Sequence, residues 1–187
     1  MPHRAADRAR LGALLLTAVA VLLAGCSSDP GPGPIADGGT GSQCLAAGLG
    51  KLVTVGSYDL DNKGKSPATV TGIRLPHLHG LRVTSAWLTP ILTDSNGDQE
   101  EIGVGYSWPP SFDKLVREEW ARRVPLIGAV VKPGQDPNLS FGVARTGTHY
   151  GSAGGPLVTY TSDGHTFTAN LPFSIVVVGN CNKVPGQ

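Results

Sequence analysis

From Leu52 onward the chain is cut by Gly, Pro, Asn and Asp into short runs of β-formers. The runs fall at 52–60, 68–75, 81–92, 102–106, 127–131, 139–144, 157–162, 165–170 and 173–178. Spacing near ten residues, with turn residues between, predicts a β-sandwich. Asp163-Gly164, between runs rich in Thr and Tyr, reads as a hairpin turn, and Asn96-Gly97 reads the same way. Residues 173–178 (FSIVVV) are apolar on both faces, as a central strand requires. Gly72 marks an irregularity in the second run, and Pro90 interrupts or ends the third.

One segment departs from this pattern. Phe112, Leu115, Val116 and Trp120 recur at helical spacing, which predicts a helix over 111–124. Ser111 can cap it, Asp113 sits in its first turn, Arg122 and Arg123 lie near its end and Pro125 stops it. It reads as a short insertion covering one end or face of a sheet.

The N-terminus has a different grammar. His3, Arg4, Arg8 and Arg10 stand against one acid, Asp7, and then 13 residues from Leu11 to Leu23 carry no charge. A membrane-spanning helix needs roughly 20 apolar residues, so 13 fit the apolar core of an export signal. The signal runs through small residues into Cys26, as Leu23-Ala24-Gly25-Cys26. This resembles the lipobox of bacterial lipoproteins. The resemblance implies diacylglycerylation of the Cys26 thiol, removal of residues 1–25, and a membrane anchor on the extracytoplasmic face. An uncleaved anchor, or a plain signal peptide carrying a chance Cys, are the alternatives, and both export the domain. The bias against Lys (six) and Met (one) resembles proteins of high-GC actinobacteria.

Residues 27–42 (SSDPGPGPIADGGTGS) hold five Gly, three Pro and one large apolar side chain, Ile35. That composition predicts a flexible linker over 26–42, with an end-to-end distance of roughly 20–25 Å. The domain at 43–187 would then be free to rotate above the bilayer. With the signal removed, three of 15 Lys and Arg and one of 14 Asp and Glu are lost, and the formal charge moves from +1 to −1. A near-neutral domain lacks the electrostatic footprint of a nucleic-acid binder and any polybasic patch for lipid.

If Cys26 carries lipid, Cys44 and Cys181 remain at the two ends of the domain, and an exported chain allows them to pair. Two buried thiols are the alternative. No C-x-x-C occurs, so the bridge would be structural.

A second resemblance lies in the domain. Asn62-Lys63-Gly64, then Pro67, then Ala68-Thr69-Val70-Thr71 resembles a strand–turn–strand passage of the bacterial immunoglobulin-like superfamily. Lys132-Pro133-Gly134-Gln135 before Leu139-Ser140-Phe141 is similar to the turn that precedes a late strand there. The resemblance implies an immunoglobulin-like antiparallel sandwich that binds or spaces, and it transfers no functional residues.

Few residues carry chemistry. His77-Leu78-His79, if extended, puts two imidazoles on one strand face, a pair suited to Cu(II) or Zn(II). His149 and His165 are further candidate ligands, although Pro76 and Gly80 favour a loop. Asp59, Asp61 and Gly64 match three positions of a calcium loop, but Lys63 and Val70 occupy ligand positions, so a turn is the better reading, as it is for Asp94, Asn96 and Asp98, where Gly97 stands at position four instead of six. Gly151-Ser152-Ala153-Gly154-Gly155 lacks nucleophile-elbow spacing and reads as a flexible loop. Trp108, Phe112 and Trp120 cluster around the insertion. They either seat the helix or offer Trp108 and Trp120 to a protein or glycan partner.

The sequence therefore points to an all-β, immunoglobulin-like sandwich with one short helical insertion. It is expected to be a lipid-anchored, non-enzymatic binding module of the cell envelope without a cofactor. Extracytoplasmic copper or zinc binding through His77 and His79 is the alternative, and a cell-envelope enzyme is third.

Overall fold

A computed structural model describes residues 33–37 and 40–183. The stretch read as an export signal, residues 1–25, and Cys26 lie outside the described residues. The domain is all-β, with one helix of two turns.

Strand β1 (Gly41–Ala46) is followed by β2 (Leu52–Asp59), β3 (Ala68–Arg74) and β4 (Leu81–Thr89). The insertion holds a small hairpin, β5 (Leu92–Thr93) and β6 (Gln99–Glu100), then helix α1 (Lys114–Ala121). Two short strands follow, β7 (Val124–Pro125) and β8 (Val130–Val131). The chain closes with β9 (Asn138–Arg145), β10 (Tyr150–Ala153), β11 (Leu157–Ser162), β12 (His165–Asn170) and β13 (Phe173–Val178).

One sheet has the order β2-β9-β4-β7. Facing it are a four-stranded sheet, β12-β11-β3-β8, and a three-stranded sheet, β1-β13-β10, joined by a long, interrupted hairpin. β11 pairs with β12 and β10 with β13, and the register moves by one residue between Leu157↔Asn170 and Ala153↔Ile175. Gly154-Gly155-Pro156 and Leu171-Pro172 make the break, because a proline has no N–H for the ladder. At the tip, Asp163 and Gly164 both take positive φ (50° and 76°), as the predicted Asp-Gly turn requires. β3 pairs with β11 on one side, and β1 runs parallel to β13 on the other. In chain order, β2, β9 and β4 take the B, E and D places of an immunoglobulin-like sandwich, and β3, β10/β11 and β12/β13 take C, F and G. The insertion falls between D and E.

Between the sheets, Val53, Val55, Val70, Leu139, Phe141, Val143, Val158, Tyr160, Ile175 and Val177 are fully buried. Tyr58 stacks on Phe141 at 5.9 Å, meets Phe173 edge-on at 6.1 Å, and donates its hydroxyl to the Phe173 carbonyl at 2.6 Å. Burial holds that phenol protonated well above its ordinary range. The segment between β7 and β8 passes from one sheet to the other, burying Leu126 and Ala129, and so closes one side of the sandwich.

Four expectations are corrected. The helix is shorter than 111–124, and its cap is Asp113, whose Oδ1 accepts the Val116 N–H at 2.8 Å. Ser111 lies outside it, and Val124 leaves it to pair with Leu88. Residues 102–106 form no strand; Gly105 makes a single bridge to Thr54. Residues 151–153, read as part of a flexible loop, belong to strand β10. Finally, the folded unit reaches into the stretch read as linker. Gly41 and Ser42 belong to β1, and Ile35 is 3% exposed, bridges to Asn62 and donates its N–H to the Tyr160 hydroxyl at 3.1 Å. Asp37 accepts the Asn170 N–H at 2.8 Å. One apolar side chain set among small residues suffices, because Gly33 allows close approach to Tyr160 and Phe167 and the sheet edge supplies partners.

Candidate functional site

The loops gather at the two ends of the sandwich. At one end lie the β2–β3, β8–β9 and β11–β12 connections. Ile35 and Asn62 anchor this end: Asn62 donates to the carbonyls of Ser66 (3.0 Å) and Val131 (2.9 Å), and its own N–H reaches the Gln135 carbonyl at 2.9 Å. We call it the arm end, after the arm formed by residues 33–37 that packs here.

The other end carries the β1–β2, β3–β4 and β9–β10 connections, laced together through the backbone. Gly50 donates to the Arg145 carbonyl (2.9 Å), Thr146 to the Gly80 carbonyl (2.9 Å) and Gly154 to the Pro76 carbonyl (2.7 Å). His79 and Ser152 exchange two bonds of 2.8 Å each. Arg145, 7% exposed, gathers the carbonyls of Gly147, Thr148 and His149 on its Nη1. Cys44 and Cys181 stand at disulfide distance, with Cα atoms 5.8 Å apart, and tie β1 to the short turn Cys181–Lys183. On this braced base three large side chains face solvent: Leu49 (60% exposed), Leu78 (49%) and Tyr150 (39%). The His79 ring lies 5.6 Å from the Tyr150 ring. Apolar groups held out on a rigid platform lose little entropy when a partner covers them.

His77 and His79 lie in this end, but not as an extended pair. Residues 76 and 77 form a turn with His77 at φ 53°, a left-handed conformation costing about 1–2 kcal/mol for a residue with a Cβ. The same-face geometry of an i, i+2 strand pair is therefore not formed. His149 is exposed in the neighbouring loop, whereas His165 lies at the opposite end beside Phe167. Among the described residues no three His, Cys, Asp or Glu side chains form a group able to hold a metal ion.

Trp108 and Trp120 sit elsewhere, on the outer face of the β2-β9-β4-β7 sheet. Trp120 meets Trp108 edge-on at 4.9 Å and Trp87 of β4 at 6.0 Å. The Arg123 guanidinium lies over Trp87 (5.0 Å) and Trp120 (4.7 Å). All three indoles are half-buried. Trp108 packs on Gly142, where a Cβ would stand 2.7 Å from its ring. The Thr54 hydroxyl donates to the Ser107 carbonyl, and Glu119 of α1 accepts the Leu92 N–H at 2.8 Å. The cluster seats the insertion on the sheet. Trp87 and Arg123 were not legible as members, because their contacts join segments far apart in sequence.

A third feature escaped sequence reading. A cleft of about 460 Å³ near the arm is lined by Asp37, Tyr58, Asp59, Asp61, Lys63 and Asp136, among others. Burial first, then the neighbouring Glu101 and Asp136 carboxylates, outweigh the lowering bond from Asn138 (3.2 Å) and together push the Asp59 carboxyl up to about 6. Asp61 pairs with Lys63 at 3.2 Å, and Asp37 is engaged by Asn170. The cleft is rich in carboxylates, of which Asp37, Asp59 and Asp61 already hold partners within the fold. Asp94 likewise closes its own turn, accepting the N–H groups of Asn96 (2.8 Å) and Asp98 (2.9 Å), which hold its carboxyl below the usual range.

No family model matches the chain, and no curated protein matches it.

Proposed function

We propose that this protein is a lipid-anchored, extracytoplasmic binding module of the cell envelope that acts without catalysis. The observation that carries the reading is the trio Leu49, Leu78 and Tyr150, exposed on loops fixed by Arg145, the His79–Ser152 bridge and the Cys44–Cys181 pair. Such a surface suits a protein or glycan partner: apolar and aromatic anchors supply contact area, and the fixed loops spare the ordering cost. The lipobox at Cys26 supports the anchor. Two or three acyl chains on one residue make release slow, since each buried methylene contributes about 0.8 kcal/mol.

The test is in-cell crosslinking of the native lipoprotein, compared with a Leu49→Ser, Leu78→Ser, Tyr150→Ser variant. The expected result is one partner recovered with the parent and lost with the variant. A partner retained by the variant would move recognition elsewhere, with Trp108 and Trp120 next in line. Separately, Cys26→Ala should release or mislocalise the protein and leave the domain folded.

A second reading, copper or zinc binding through His77 and His79, is favoured by the exposure of both residues and of His149 in the adjoining loop. Calorimetry with Cu(II) and Zn(II) on the domain decides it: saturable heat that disappears in His77→Ala/His79→Ala supports it, and no heat ends it.

A further inference from the structure

The composition of residues 27–42 permits any orientation above a membrane, because 16 extended residues reach roughly 55 Å. The fold removes most of that length. Gly33 is packed against Tyr160 and Phe167, and Pro34 accepts the Lys63 N–H at 2.9 Å. Ile35 is buried, Asp37 is bonded to Asn170, and from Gly41 the chain is part of a sheet. Only seven residue steps then separate Cys26 from Gly33, and these span at most about 25 Å.

Gly33 is fixed at the arm end. From Tyr160, which it touches, to Tyr150 at the opposite end is ten residues along one interrupted strand, roughly 30 Å at 3.3 Å per residue. The Leu49 loop follows β1 at that same end, and Leu78 lies level with Ser152–Gly154, a little inward of Tyr150. With those loops end-on against a bilayer, Gly33 would stand farther out than its tether reaches.

We infer that the arm end is the bilayer-facing surface, its β2–β3 and β11–β12 loops set toward phospholipid headgroups, and that the end bearing Leu49, Leu78 and Tyr150 is held outward to meet its partner. This rests on the lipid-anchor reading of Cys26. The arm is thus an orienting device: one buried isoleucine and one strand convert a long tether into a short one attached at a chosen pole.

The experiment uses the full lipidated protein, reconstituted into phosphatidylethanolamine/phosphatidylglycerol vesicles that carry a headgroup-linked quencher. A fluorophore is placed at Asp163→Cys in one sample and at Leu78→Cys in another, and vesicle flotation is run on both. The expected result is co-flotation, with quenching several-fold stronger at position 163 than at 78. Equal quenching of floated protein overturns the orientation while leaving the anchor standing. Failure to float overturns the anchor itself, and the inference with it. A Gly/Ser insertion of about 20 residues after Ser28 should erase the contrast without loss of flotation. A contrast that survives the insertion overturns the short tether as its cause.

Discussion

The two sheets of the sandwich are covered differently. The β12-β11-β3-β8 sheet shows solvent a face of threonines: Thr159 lies opposite Thr168, and Thr161 opposite both Thr166 and Thr69. Its central strand β11 alternates cleanly, burying Val158, Tyr160 and Ser162 and leaving the residues between partly exposed. The β2-β9-β4-β7 sheet has no such open face over its central strand. All eight residues of β9 are buried, with Leu139, Phe141 and Val143 in the core and Asn138, Ser140, Gly142 and Ala144 on the other side. The insertion lies over that other side through Trp108, Trp120 and Glu119. The comparison teaches that burial on both faces need not produce an apolar strand. Where the cover approaches closely, small and hydrogen-bonded side chains do the work: Ser140 donates to Asn138 at 3.0 Å, and Asn138 donates to Gly56 and Asp59.

The contrast can be broken at four points. Phe141→Ala, between the sheets, should cost about 3–5 kcal/mol in urea unfolding, the largest single effect of the set. Gly142→Val, one residue on and facing the opposite way, should cost about 1–3 kcal/mol, because its branch meets the Trp108 ring, and indole fluorescence should shift with it. A Gly142→Val protein with parental stability would mean that the insertion is only loosely seated.

Asp59→Asn tests the polar layer through pH. The folded carboxyl titrates near 6, above the ordinary value of about 3.9. Between those values the folded protein keeps a proton that the unfolded chain has lost, so Asp59 makes stability fall as pH rises from about 4 to about 6. Asparagine keeps an acceptor for Asn138 without the charge. The variant should gain roughly 1 kcal/mol on the parent at pH 7.5, a figure reduced for the group's partial exposure, and nothing at pH 4. Parallel pH profiles of variant and parent would place Asp59 in solvent. Smallest of all, Thr168→Val on the open face should change stability by less than about 0.5 kcal/mol. A larger loss would show that the threonine face is covered.

The same contrast explains what could be read from sequence. Residues 157–170 were legible in full, since alternation, the Asp-Gly turn and the pairing are all local. Strand β1 was not: its partner β13 lies some 130 residues away, and Gly41-Ser42 carry no apolar signal. Residues 102–106 resemble a strand but serve as cover. Of the candidate residues, Cys44 and Cys181 are brought together, whereas His77 falls in a turn and His79 in a bridge to Ser152. The outward trio of Leu49, Leu78 and Tyr150 went unread, because exposure is decided by loop placement and not by residue type.

The parallel pairing of β1 with β13 also fixes how this molecule carries load. If an anchor pulls on the arm while a partner holds the opposite pole, tension runs along β1. Its six residues opposite β13 are then strained together in shear and do not peel one at a time. At Cys44 the covalent link to Cys181 clamps β1 to the segment that follows β13, so the two strands stay joined even where their ladder yields.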